Sequence, residues 1–100
     1  MGYYTKFELE VANGDDHKTD YEQEIRELSD YEYLFDDVVK WYNFEEDIRA
    51  YSKNHPNTVF ELSGEGEESG DLWKAYFQNG KMQMCRAKII YDEFDESKLF

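Results

Sequence analysis

Apolar and polar residues alternate near the start of the chain, with Tyr3, Thr5, Phe7, Leu9 and Val11 set against Tyr4, Lys6, Glu8 and Glu10. A period of two predicts a strand with one buried face, which Asn13-Gly14 then ends. The period next becomes helical: Tyr21, Ile25 and Leu28 share a face, and Thr19 with Glu22 forms a capping box ahead of them. A second helix follows the same logic, with Asn43 as cap, Glu46 completing the box, and Phe44, Ile48 and Tyr51 on one side. Asn54 and Pro56 stop it. Between the helices, Asp36-Asp37 reads as a loop and Val38-Val39-Lys40-Trp41-Tyr42 as a strand. Further on, Thr58-Val59-Phe60-Glu61-Leu62 predicts a strand that runs into an acidic, glycine-rich segment from Ser63 to Asp71, with Glu65 to Asp71 read as a loop. Leu72 to Gln78 and Lys81 to Tyr91 predict two more strands, joined by Asn79-Gly80, a strong type I′ hairpin signal.

The order strand, helix, strand, helix, three strands implies an α+β fold. An antiparallel sheet of four to five strands would carry two helices on one face, as a ferredoxin-like variant. One domain over 1–91 and an acidic tail over 92–100 are expected. The two-residue hairpin loop pairs Gln78 with Lys81 and Phe77 with Met82. Trp73, Ala75, Phe77, Met82 and Met84 then share one face, while Leu72, Tyr76, Cys85, Ala87, Ile89 and Tyr91 share the other. Both faces are partly apolar. Either a bulge near Met84 restores a single core face, or one face packs on the helices and the other is open to a partner.

Length and composition narrow the function. One hundred residues allow a single core, and 9 Tyr, 7 Phe and 2 Trp separate the chain from disordered acidic sequences. No apolar run approaches the roughly 18 residues of a membrane span. The N-terminal residues show no secretory pattern, and Lys6 stands where a myristoylation motif wants Ser or Thr. Cys85 alone makes no internal disulfide, so a cytoplasmic location is the expectation. The net charge of −13 opposes direct binding to nucleic acid and to anionic membranes, and points to partners with basic surfaces. The charge is also segregated. Asp15 to Asp37 carries −8, Glu61 to Asp71 holds five acids and no base, and the hairpin from Leu72 to Tyr91 carries +4, leaving −17 elsewhere. Interspersed signs would serve solubility equally well.

Candidate chemistry is sparse. The acids match no EF-hand spacing, leaving at most a weak cation site at Glu67, Glu68 and Asp71. His17, His55 and one Cys supply no transition-metal set. Paired carboxylates are abundant but lack the cleft a glycosidase needs. Ser63 and Ser69 have no neighbouring His or nucleophile elbow, and the glycines at 64, 66 and 70 miss the dinucleotide spacing while Glu65, Glu67 and Glu68 repel phosphate. No catalytic residues, metal or cofactor are assigned.

An interaction protein remains. Carboxylates on a rigid scaffold can occupy a protein groove built for DNA or RNA, gaining a fast electrostatic on-rate. The residues assigned to this are Asp30, Glu32, Asp36, Asp37, Glu65, Glu67, Glu68 and Asp71, with Trp73 as an aromatic anchor. The alternative is a structural or accessory module that forms a homodimer or larger homo-oligomer through the hairpin's second apolar face.

Lys40-Trp41-Tyr42, Ser52-Lys53, Pro56, the run from Ser63 through Leu72-Trp73, Tyr76-Phe77, Asn79-Gly80-Lys81 and Phe94-Asp95-Glu96-Ser97 carry a resemblance. Over Trp41 to Leu99 the chain resembles a group of short acidic phage and prophage proteins. The resemblance implies phage origin and action in the bacterial host cytoplasm, and names no reaction. A small acidic phage protein is similar in kind to anti-restriction and anti-CRISPR inhibitors.

Overall fold

The predicted alternation at the start of the chain forms β1, Thr5–Val11, with Phe7 and Leu9 buried and Lys6, Glu8 and Glu10 on the opposite side. The computed structural model describes residues 3–13, 18–31 and 33–100, without the side chains of residues 18 and 19. Two helices follow, α1 at Lys18–Ser29 and α2 at Phe44–Ser52, then β2 at Phe60–Gly66, β3 at Leu72–Gln78 and β4 at Lys81–Arg86. The four strands form one antiparallel sheet in the order β1-β2-β3-β4. This is the expected α+β fold, with both helices in the β1–β2 connection.

Register sorts the side chains. Phe7, Gly64 and Trp73 align across the sheet, as do Leu9, Leu62 and Ala75, and Val11, Phe60 and Phe77. This face packs against Tyr21 and Ile25 of α1 and Ile48 and Tyr51 of α2, with Leu34 and Trp41 from the connection between the helices. Asn79 and Gly80 have φ of 49° and 79°, both in the left-handed region that a type I′ turn requires. The hairpin pairs in the expected register without a bulge, and Met82 and Met84 extend the core from β4. The other face of the hairpin, with Leu72, Lys74, Tyr76, Gln83 and Cys85, is not covered by the helices.

Several sequence expectations are corrected. Leu28 does not join the face of Tyr21 and Ile25 and is exposed; Leu34 is the buried side chain that follows Ile25. Val38 to Tyr42 is not a strand. Only Val39 pairs, with Thr5 at N···O distances of 2.8 and 3.0 Å, because the chain must turn straight into α2. Asn43 is the N-cap of α2 but makes no side-chain cap bond, so no capping box closes there. The Thr19 capping side chain lies outside the described residues, and α1 already begins at Lys18. Glu65 and Gly66 are strand, not loop: Glu65 pairs with Lys6 and Leu72, and Gly66 with Thr5, while the Trp73 and Tyr3 side chains fill the space above Gly64 and Gly66. β4 stops at Arg86, not Tyr91: the last ladder bond, Ala87 N–H to Leu72 O at 2.9 Å, uses up the start of β3.

Candidate binding surface

The end of the sheet where β2 turns into β3 gathers half of the predicted acids, Glu65, Glu67, Glu68 and Asp71. The turn is closed by its own backbone: Gly66 N–H donates to Asp71 O at 2.9 Å and Asp71 N–H to Glu68 O at 3.1 Å. Gly70, at φ 85°, supplies the left-handed step between them. Tyr3 then clamps the turn to the start of β1. Its hydroxyl donates to Asp71 Oδ2 at 2.6 Å and accepts from Glu68 N–H at 3.0 Å. Donation to the carboxylate holds the Tyr3 hydroxyl above its ordinary pKa. Glu67 accepts the Tyr4 N–H at 2.7 Å, and the Tyr42 hydroxyl accepts the Tyr3 N–H at 2.8 Å. Arg86, at the end of β4, approaches Asp71 at 3.6 Å. Strand, turn and connection are thus held together by charge-assisted and neutral hydrogen bonds, on an end that stays wet.

Each assigned residue has a definite place. Glu65, Glu67 and Glu68 are exposed at this turn, Glu65 on the uncovered face opposite Lys6. Asp71 is half-buried and occupied by Tyr3 and Arg86, so it builds the surface more than it presents charge. Asp36 and Asp37 are exposed in the connection between the helices; Asp36 lies 3.6 Å from Arg26, and Asp37 Oδ1 accepts the Val38 N–H at 2.8 Å. Asp30 is exposed just past α1, at φ 62°. Glu32 lies outside the described residues. Trp73 adjoins Glu65 and Asp71, but its ring is not offered to a partner. It is 8% exposed, stacked on Phe44 at 5.0 Å and edge-on to Phe7 at 5.9 Å, and belongs to the core.

The acids therefore form two groups. The Thr5–Val39 bridge sets the connection along the outer side of β1, whose other side pairs with β2. The start of β1 separates Asp36 and Asp37 from the turn acids. Besides Tyr3, this end carries the exposed rings of Tyr4 and Tyr42, with Lys40 Nζ 4.7 Å above the Tyr4 ring. Sequence reading missed them because Tyr4 fell on the polar side of its strand and Tyr42 in an expected strand.

The basic hairpin is partly neutralised where it meets β2. Lys74 Nζ lies 3.1 Å from Glu61, which raises its pKa, and Arg86 reaches Asp71. A shallow cavity of about 510 Å³ opens on the uncovered face, lined by Lys6, Glu8, Glu65, Leu72, Lys74 and Cys85. Among the described residues, no three His, Cys, Asp or Glu side chains converge on a metal-sized site, and no helix is long and apolar enough to cross a membrane. Comparison with protein families, curated proteins and solved structures finds no match for the chain.

Proposed function

We propose that the chain is a phage-derived acidic interaction protein that acts in the bacterial host cytoplasm. It binds and inhibits a host defence or nucleic-acid-handling protein, in the manner of anti-CRISPR or anti-restriction inhibitors. The observation that carries this reading is the β2–β3 turn, where Glu65, Glu67 and Glu68 are exposed on a backbone clamped by Tyr3. Carboxylates carried on a turn whose backbone is already ordered cost little loop entropy when a basic groove closes on them. Tyr4 and Tyr42 offer amphipathic contact area beside the charge. Asp36 and Asp37 would engage a second cluster of Lys or Arg across β1. The groove's own cations do the work, so the inhibitor and the nucleic acid compete for one surface.

The test is competition. The tagged chain is incubated with host lysate, and retained proteins are challenged with duplex DNA, with RNA and with raised salt. The reading expects a retained nucleic-acid-binding protein that each of the three releases. Glu65→Lys with Glu68→Lys should lose it while keeping the far-UV CD spectrum, since neither carboxylate closes the turn. Retention that ignores nucleic acid, or survives the double reversal, removes the mimicry reading.

A further inference from the structure

β4 is an edge strand, and among the described residues none pairs with its outer side. Gln78 and Lys81 flank a two-residue turn, and Ala87 N–H still donates to Leu72 O at 2.9 Å. Lys81, Gln83, Cys85 and Ala87 therefore direct their backbone groups towards β3. Those of Met82, Met84 and Arg86 face outward. The segment beyond the strand keeps this direction: the Ile89 side chain lies against Gly70, where an added β-carbon would come within 3.0 Å of it. Ile90, Tyr91 and Phe94 are 85%, 85% and 80% exposed. Residues 87–95 are not strand within one copy, but such a run of β-branched and aromatic residues, continuing an open edge without Pro, can extend β4 once a neighbouring strand supplies its hydrogen bonds.

Its charge says which neighbour fits. Arg86 and Lys88 precede the two isoleucines, and Asp92, Glu93, Asp95 and Glu96 follow them. A strand that is basic before its apolar centre and acidic after it complements itself when reversed. We propose that a second copy of this chain covers the β4 edge, the two copies pairing antiparallel over residues 84–94 about a two-fold axis at Ile89. Outward backbone groups belong to even-numbered residues, so hydrogen-bonded pairs must join even to even. Centring on Lys88 would oppose Lys88 to itself, and centring on Ile90 would set Met84 against Glu96. Centring on Ile89 sets Arg86 opposite Asp92 and Met84 opposite Phe94. Phe94 then continues the apolar face to which Met84 already belongs. Each tail becomes the fifth strand of the other copy's sheet. This surface is distinct from the acidic turn and does not rest on that turn's role.

In this register Cys85 stands opposite Glu93 of the second copy in a non-hydrogen-bonded pair, where the side chains approach closely enough for a disulfide. The full chain should sediment at twice its 12.1 kDa at micromolar concentration and about 0.15 M salt. Ile90→Pro removes an outward N–H without touching the core, and should give a folded monomer by sedimentation and far-UV CD. A chain carrying Glu93→Cys and Cys85→Ser, mixed with the unaltered chain under mild oxidation, should yield a disulfide-linked heterodimer joining positions 85 and 93. A folded monomer before any substitution, a dimer indifferent to Ile90→Pro, or faster cross-linking of Cys85 to Asp95→Cys than to Glu93→Cys overturns the proposal.

Discussion

Gly64→Ala separates backbone propensity from packing, because the two predict opposite signs. In a strand interior, Ala is worth about 0.5–1 kcal/mol over Gly through reduced chain entropy. The structure places Gly64 directly beneath the Trp73 ring. A β-carbon there would stand 2.7 Å from Trp73 Nε1 and closer still to Cε2 and Cζ2. Carbon pairs rest near 3.5–4.0 Å, so the indole must move by about an ångström or more. It has little room to do so, being stacked on Phe44 at 5.0 Å and edge-on to Phe7 at 5.9 Å. Over-packing of this kind costs about 1–3 kcal/mol, and a spoiled aromatic contact adds about 0.5–1.5 kcal/mol. After the propensity gain, a net loss of about 0.5–4 kcal/mol remains, centred on ~2 kcal/mol. That is a large share of the roughly 5–15 kcal/mol that holds a domain. Urea unfolding followed by Trp fluorescence measures it directly. In a Trp73→Leu background, itself less stable for the loss of a core ring, the same substitution should cost much less, since the clash partner is gone. A Gly64→Ala chain as stable as the parent would refute the packing argument.

Ser52 joins α2 to the hairpin: it is fully buried, accepts the Gly80 N–H at 2.8 Å and donates to Arg49 O at 2.8 Å. Ser52→Ala should cost about 1–3 kcal/mol by leaving that N–H unpaired, read as a lower urea midpoint at unchanged slope. Alkaline stability should fall because of Tyr51, whose hydroxyl donates to Glu24 at 2.8 Å and is held well above its ordinary 10.0 by burial and by that carboxylate. The unfolded phenol ionises near pH 10 and the folded one later. Its contribution is therefore complete below about pH 10 and lost as pH rises above it. Tyr51→Phe should flatten the decline of the urea midpoint above that pH, and an unchanged decline would exclude Tyr51 as its source.

Short-range pattern was enough to specify much of this molecule. Alternation identified β1 and its buried Phe7 and Leu9, Asn79-Gly80 set the hairpin register, and the helical period placed Ile48 and Tyr51 inward. These features depend on periods and turn dihedrals that neighbouring residues carry among themselves. What the pattern could not supply were distances between remote segments. Glu65 and Gly66 read as loop because Gly and Glu are poor strand formers, yet pairing with Lys6 and Thr5 of β1 holds them in the sheet, with the Tyr3 side chain over the bare backbone of Gly66. Val38 to Tyr42 reads as strand, yet its one bridge to Thr5 leaves no length for a ladder before α2. The same divide runs through the candidate surface. The acids and their excess are legible in the sequence, but whether a carboxylate is offered or consumed depends on what folds against it. Glu65 and Glu68 stand exposed, while Asp71 is taken by Tyr3 and Arg86 from opposite edges of the sheet. Trp73 shows the limit most clearly: its position in the strand was evident, but only the packing of Phe7, Phe44 and Gly64 around it decided that it is core.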